Sequence, residues 1–379
     1  MKICAIISEY NPLHSGHAYH IQQAKALSKA DFVLCIMSGN FVQRGESAVL
    51  DKYERAAHAI KAGADAVIEL PTVFATSPAE PFAKGGVKIA SAIPSVTHLC
   101  FGAETPDKEK ILQSAALLND EPKCVSEKIK AALSTGKSLA KARADAYGDK
   151  ILSQPNDLLA VEYARAVLSY SSKIELLPIK RIGAGYKESE LNSSYPSATA
   201  VRKGLKEKTI HLFQDKLPEQ VFISLQDYAD TDEKLDLLER YALLSKNTEK
   251  IRLTPDCTEG LENGLKRAAT EQENIVSTLT SARYTSSRIR RILLQNLLSI
   301  TAEDVKTALS SPLYLRLLAA KKNSPILSLI GESDYPILVS GLDEEKLSPA
   351  QRKISEKDAF AQEIYTLLTG KKPNKQIFY

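Results

Sequence analysis

Short apolar runs alternate with amphipathic stretches through the first two hundred residues. Runs at 3–7, 32–37, 66–70, 98–101 and 174–179 read as strands, and the spacing between them predicts helices near 17–28, 52–62 and 81–92. Strands separated by helices imply right-handed crossovers and a parallel sheet covered on both faces. The unbroken apolar run FVLCIM fits a strand buried on both sides. From 108 to 172 the pattern is helical, an insertion before the last strand. Beyond about residue 204 strand signals thin, and charged amphipathic stretches such as EKLDLLERYALLS and SSRIRRILLQNLLSI take over. The expected fold class is therefore α/β: a Rossmann-like parallel sheet over 1–205 with a helical insertion, followed by a mainly α-helical domain over 206–379. PILSLI and YPILVSGL, within 324–347, suggest one or two late strands. The chain shows no internal repeat and no low-complexity tract.

A length of 379 residues agrees with two domains. With 44% hydrophobic and 25% charged residues the composition is that of an ordinary globular protein, and a net charge of +4 does not by itself announce a nucleic-acid binder. Cys4, Cys35 and Cys100 lie inside apolar runs, and none of the five cysteines shows zinc-like CxxC spacing, so reduced buried thiols are expected. The opening MKICAIISEYNPLH meets Glu9 and Asn11 at once and reads as a strand rather than a signal peptide. No apolar run approaches the roughly 18 to 20 residues of a membrane span. A cytoplasmic protein without membrane attachment is expected.

The strongest local signal is ISEYNPLHSGHAYH, placed where the first strand ends and the first helix begins: Ile7, Ser8, Glu9, Tyr10, Asn11, Pro12, Leu13, His14, Ser15, Gly16, His17, Ala18, Tyr19 and His20. Ligands of open α/β sheets bind outside the carboxyl ends of the strands, so a nucleotide belongs here. Gly16 lets backbone approach a phosphate, the helix N-terminus offers free N–H groups, and two imidazoles can donate to charge developing on that phosphate. A pair of histidines at this spacing can also simply cap or pack the helix start; position after the first strand favours the phosphate clamp.

A second set follows the last strand in YPSATAVR. Ser197 reads as an N-cap, and together with Thr199 and Arg202 it forms a hydroxyl and guanidinium set suited to the β- and γ-phosphates. The loop after the second strand carries Asn40, Gln43 and Arg44, suited to the acid or the incoming base, whereas Asp51 and Lys52 read as a helix start.

His14–His17 resembles the HxGH signature of the class I nucleotidyltransferase superfamily, and Ser197–Arg202 is similar to its ISSTxxR motif, with Ala198 in place of the second serine. More narrowly, ISEYNPLHSGHAYH, MSGNFVQRGESA, FGAE, NDLLAVEY and IKRIGAGY together resemble the bacterial tRNA(Met) cytidine acetate ligases along nearly the whole chain. The resemblance implies a reaction in which acetate and ATP give acetyl-adenylate and pyrophosphate. The wobble cytidine of elongator tRNA(Met) then takes the acetyl group on its exocyclic amine, giving N4-acetylcytidine and AMP. It implies His14 and His17 as catalytic groups, and ATP contacts along Ile7–His20 and at Gly102, Asn156 and Arg181. Gly102 is either an approach point for adenosine or an ordinary turn glycine, and Asn156 either touches nucleotide or caps the next helix. Arg181, following the strand IELLPI, suits a phosphate.

Mg2+ is expected with ATP, with no protein ligand assigned to it and no metal site of the chain's own. For tRNA(Met), the candidates are Lys203 and Lys206 beside the phosphate motif, and Arg283, Arg288 and Arg291 in LTSARYTSSRIRRILL. A charge run alone is usually a solvated face; the family resemblance reverses that preference. No obligate protein partner is expected. The main rival is an adenylation of a phosphorylated small molecule on the same clamp, against which the large helical second domain argues. A non-catalytic RNA-binding module would leave His14 and His17 idle.

Overall fold

The computed structural model describes residues 1–379 except 121, 136, 138, 149, 182–195, 272–273 and 282. Of the segments singled out above, residues 182–186 of IKRIGAGY and Tyr195 of the YPSATAVR stretch lie outside the described residues. The strands are β1 (Ile3–Ser8), β2 (Phe32–Ser38), β3 (Phe41–Val42), β4 (Glu46–Ser47), β5 (Ala66–Leu70), β6 (Val96–Ala103), β7 (Glu175–Lys180), β8 (Leu315–Ala320) and β9 (Ile337–Leu338). All but the β3–β4 hairpin form one seven-stranded sheet in the order β7-β6-β1-β2-β5-β8-β9. From β7 to β5 the pairs are parallel. The chain runs from β1 through β2 to β5 on one side and through β6 to β7 on the other. Winding therefore reverses between β1 and β6, and such a reversal opens a crevice at the strand ends.

The expected elements form, with the insertion present as the helices Lys108–Asn119, Lys123–Ser134, Leu139–Tyr147 and Pro155–Ser169 between β6 and β7. The boundary expected at 205/206 needs correction. The helical part occupies 219–310, after which β8 pairs antiparallel with β5 and β9 pairs parallel with β8, so the chain returns to complete the first sheet. Ile354 and Leu368 of the helix Pro349–Thr369 share one core with Ile3 and Leu34. LRLLAA reads as helix because leucine and alanine favour it, yet β5 is buried along its whole length and its open edge needs a partner. Of the suggested late strands, PILSLI supplies the short helix Ile326–Ile330 and YPIL supplies β9. Among the described residues no helix is long and apolar enough to cross a membrane.

Two buried charges organise the sheet's ligand-bearing edge. Glu69, in the otherwise apolar β5, receives Lys52 Nζ at 2.7 and 2.8 Å, and Arg316 Nε of β8 lies 3.4 Å away. A carboxylate taken out of water is tolerable only when paired, so this cluster ties β5 to the helix Lys52–Lys61 and to β8. Arg55, fully buried, donates through Nε to Leu50 O at 3.0 Å, through Nη1 to Glu9 O at 2.5 Å and Ser38 O at 3.2 Å, and through Nη2 to Gly39 O. One guanidinium thus gathers carbonyls from the loops that follow β1 and β2. Removing it leaves those acceptors dry. Arg55→Met is expected to lower unfolding free energy by about 3 kcal/mol or more in denaturant titrations; a loss below about 1 kcal/mol would show that the loops hold their shape without it.

Candidate active site

The helix Ser15–Ser28 begins two residues earlier than the apolar periodicity indicates, because His14 caps it. His14 Nδ1 accepts from Gly16 N–H at 3.1 Å, and His17 Nδ1 accepts from His14 N–H at 3.3 Å. This is a capping box built from imidazoles instead of a hydroxyl and a carboxylate. The rings stack at 3.7 Å between centroids with an interplanar angle of 23°, and the Tyr10 ring meets His17 edge-on at 5.1 Å. Burial, and after it the positive Arg181, hold His14 down to about 3 and His20 to about 4; burial, then its histidine neighbours, hold His17 well below the usual range. At neutral pH the rings are uncharged. In His14 and His17, with Nδ1 accepting from backbone, the single proton must sit on Nε2. Capping and anion binding are therefore not alternatives here, since each ring caps with one nitrogen and offers an N–H with the other.

A cavity of about 310 Å³ opens beside these rings at the ends of β1 and β6. His17 and His20 line it, along with Ile7, Ser8, Glu9, Tyr10 and Asn11 from the first motif; His14 lies against it through the stack on His17. Phe82, Phe101, Leu159 and Tyr163 supply an apolar wall. Several buried polar atoms around it have no hydrogen-bond partner among the described residues: Asn11 Nδ2, Gln43 Nε2 and His20 Nε2. Buried donors left unmade are costly, so a cavity ringed by them is suited to a ligand rich in acceptors. Asn156 does not cap the helix Pro155–Ser169; its Nδ2 donates to Glu104 Oε1 at 2.5 Å and its Oδ1 accepts from Arg181 Nη1 at 3.1 Å. Gly102 faces Arg181, whose Cγ would lie 3.0 Å from a Cβ placed there. Arg181, Asn156 and Gly102 all line the cavity.

Other expected residues are placed differently. Leu13 is core, and Ser15 Oγ donates to Lys216 O at 2.7 Å. Pro12, Gly16, Ala18 and Tyr19 build the loop and helix without lining the cavity. Ser197 Oγ accepts from Ala200 N–H at 3.1 Å, the capping role expected of it. Arg202 Nη1 donates to Asn11 O at 2.8 Å and borders the cavity on one side and, on the other, a second one of about 500 Å³ that Thr199, Lys203 and Lys206 also line. In the loop, Gln43 and Arg44 reach the first cavity and Arg44 reaches both. Asn40 is turned away, its Oδ1 accepting from Lys52 N–H at 2.8 Å and its Nδ2 donating to Gln362 at 2.9 Å.

The expected basic patch divides. Arg283 pairs with Glu259 at 2.5 Å, and Lys206 pairs with Asp232. Arg288 Nη2 donates to Asp256 O at 2.8 Å and to Thr258 Oγ1 at 3.1 Å. Arg291 Nη1 donates to Gln43 O at 3.4 Å, and the neighbouring Arg290 pairs with Glu46 at 2.6 Å. These last contacts dock the helix Ser286–Leu297 onto the loop, where Gly45 has φ +74 and an added Cβ would meet Arg291 N at 2.4 Å. Hence Arg288 and Arg291 bind protein, while Lys203 keeps its side chain 72% exposed, 3.7 Å from Glu207. Sequence reasoning missed Arg55 and Phe82, each of which reads as an ordinary helix residue.

A family model described as HIGH Nucleotidyl Transferase matches residues 1–377. A tRNA(Met) cytidine acetate ligase of Thermoanaerobacter sp. (strain X514) is 37% identical over 97% of this chain and 95% of that protein. One of Clostridium perfringens (strain SM101 / Type A) is 34% identical over 97% and 96%. Among solved structures, apo Thermotoga maritima TmcAL superposes with a TM-score of 0.91 at 31% identity, covering 100% of this chain and 99% of that one. The same Thermotoga maritima protein bound with alpha-thio ATP gives 0.85 at 31% identity, covering 98% and 95%.

The depressed histidines fix the sign of a pH effect. Their folded values lie below the unfolded value of 6.5, so the unfolded chain binds more protons as pH falls. Their contribution to stability is fully present above about 6.5 and is lost progressively from there down through about 4 and 3. Urea midpoints are expected to fall across that window, and more gently in His14→Asn with His20→Asn, the asparagine retaining a cap. An unchanged slope in the double variant would contradict the depressed values.

Proposed function

Because this chain belongs to the tRNA(Met) cytidine acetate ligase family of HIGH nucleotidyl transferases, we propose that it activates acetate on the α-phosphate of ATP and passes the acetyl group to tRNA. The acceptor is the N4 amine of the wobble cytidine of elongator tRNA(Met). In the first step an acetate oxygen attacks the α-phosphorus and pyrophosphate leaves with the electron pair of the broken P–O bond. In the second, the amine nitrogen bonds to the acetyl carbon, AMP leaves and the amine gives up a proton.

The observation that carries this reading is the pair of uncharged rings at the mouth of β1 whose Nε2–H groups have no partner among the described residues. Negative charge grows on the equatorial oxygens as the α-phosphorus becomes five-coordinate, and fixed donors in a dry site stabilise that growth most. The free N–H groups at the start of Ser15–Ser28 add to the same field. Arg181, held by Asn156, and Arg202, held by the Asn11 carbonyl, supply positive charge toward the phosphates. The wall of Phe82, Phe101 and Tyr163 suits the adenine ring. The Thermotoga maritima relative bound with alpha-thio ATP supports ATP as the nucleotide that this chain uses. Magnesium is expected to arrive on the ATP phosphates, and no residue is assigned to it. A cytoplasmic setting follows from the tRNA substrate.

Incubation with ATP, labelled acetate and mixed tRNA should place label in RNA and release AMP. AMP attached to a phosphorylated small molecule would instead select the rival adenylation. His14→Ala with His17→Ala should slow acetate-dependent pyrophosphate exchange by roughly 10²- to 10³-fold, and an undiminished rate would refute the clamp. Arg44, exposed and without a hydrogen bond to any described residue, should behave differently from a structural arginine. Arg44→Ala is expected to reduce turnover while leaving the melting temperature unchanged; equal loss of both would refute its place at the substrates.

A further inference from the structure

The second cavity contains a group that the reaction above leaves unused. Glu239, on the helix Asp232–Ser245, is 7% exposed and lines this cavity. Its carboxyl forms no hydrogen bond or ion pair with any described residue. Burial, reinforced by Asp236 and Asp232 and opposed by Arg290, pushes it well above the usual carboxylate range. The buried carboxylates Glu69 and Asp358, by contrast, are bonded through both oxygens. An unpartnered buried acid costs stability unless something else satisfies it.

The surroundings of Glu239 narrow what that something is. Its cavity shares Arg44 and Arg202 with the nucleotide cavity, so an occupant of one lies next to an occupant of the other. Its rim carries Lys203, 72% exposed and 3.7 Å from Glu207, with Lys206 paired to Asp232 and Arg290 to Glu46, so a phosphodiester placed there competes with carboxylates for these cations. A cavity of about 500 Å³ is within the range that takes a small organic ligand. A rim of paired charges in which Lys203 is the most exposed cation, a buried acceptor and adjacency to the first cavity together match one chemistry: a ribonucleotide whose base carries an exocyclic amine.

We infer that this cleft is the acceptor-nucleotide site, and that Glu239 takes a hydrogen bond from the exocyclic amine of the unstacked base while Lys203 holds its backbone phosphate. The inference rests on the ligase reading of the first cavity. A carboxyl oxygen accepting from the N4 amine of cytosine is the pairing expected for an acidic side chain at this base. It holds the base by the group that is to be acylated, turned toward the wall formed by Arg44 and Arg202.

The test separates the two half-reactions in the full chain. Acetate-dependent pyrophosphate exchange reports the first cavity, and acetyl transfer to tRNA reports both. Glu239→Ala is expected to lower kcat/KM for tRNA by roughly 10- to 100-fold, with exchange unchanged, melting temperature not lowered, and Glu239→Gln, which keeps a carbonyl acceptor, partly restoring transfer. Undiminished transfer in Glu239→Ala overturns the inference, as does a parallel fall of transfer, exchange and melting temperature. Absence of exchange in the unaltered protein would overturn the ligase reading instead. Should Glu239→Ala fail to fold, Lys203→Glu carries the test: tRNA binding should weaken and lose part of its salt dependence, and unchanged affinity overturns the inference.

Discussion

Each imidazole of the first motif has two nitrogens, and the fold fixes what both of them do. Gly16 and His14 direct backbone N–H groups at the Nδ1 atoms of His14 and His17, while burial keeps the rings uncharged. Together these conditions leave one proton per ring, on Nε2. The donors cost no reorganisation when charge develops, because the bonds that orient them also close the first turn of the helix. The remainder of the site is arranged around that turn. Asn11 holds Val49 N–H through its Oδ1 and Arg202 through its carbonyl, and Tyr10 supports the His17 ring from the side.

The sheet edge that presents this turn is assembled by buried cations. Arg55 draws together carbonyls of Glu9, Ser38, Gly39 and Leu50, so the loops after β1 and β2 share one anchor. Glu69 is held by Lys52 and Arg316, which joins the sheet to its late strand β8. The helical region is stitched to the same edge, with Arg290 on Glu46 and Arg291 on the Gln43 carbonyl. Arg44 and Arg202 lie between the first cavity and the second. Consequently the helical part forms one wall of the second cavity, beside the one that His17 and His20 line.

Much of this was legible in the residue pattern. The parallel strands, the helical insertion and the position of the HxGH turn all follow from apolar periodicity and from the local chemistry of His14–His17. What escaped depended on distant contacts. LRLLAA has the composition of a helix, and only the open edge of β5 makes it a strand. Arg288 and Arg291 lie one helical turn apart in a basic run and suggest a solvated RNA face, yet their partners are residues 256, 258 and 43. Asn40 sits in a loop expected at the substrate, but Gln362, more than three hundred residues away, takes its amide. Burial of a charged side chain cannot be read from its neighbours in sequence.

The protonation state of the histidine pair is the direct test of this account. In protein labelled with 15N at histidine, imidazole nitrogen shifts report which ring atoms carry protons. His14 and His17 are expected to show a bare Nδ1 and a protonated Nε2 at neutral pH, with no midpoint near 6.5. Protonation at Nδ1 in either ring, or a titration centred near 6.5, would contradict it.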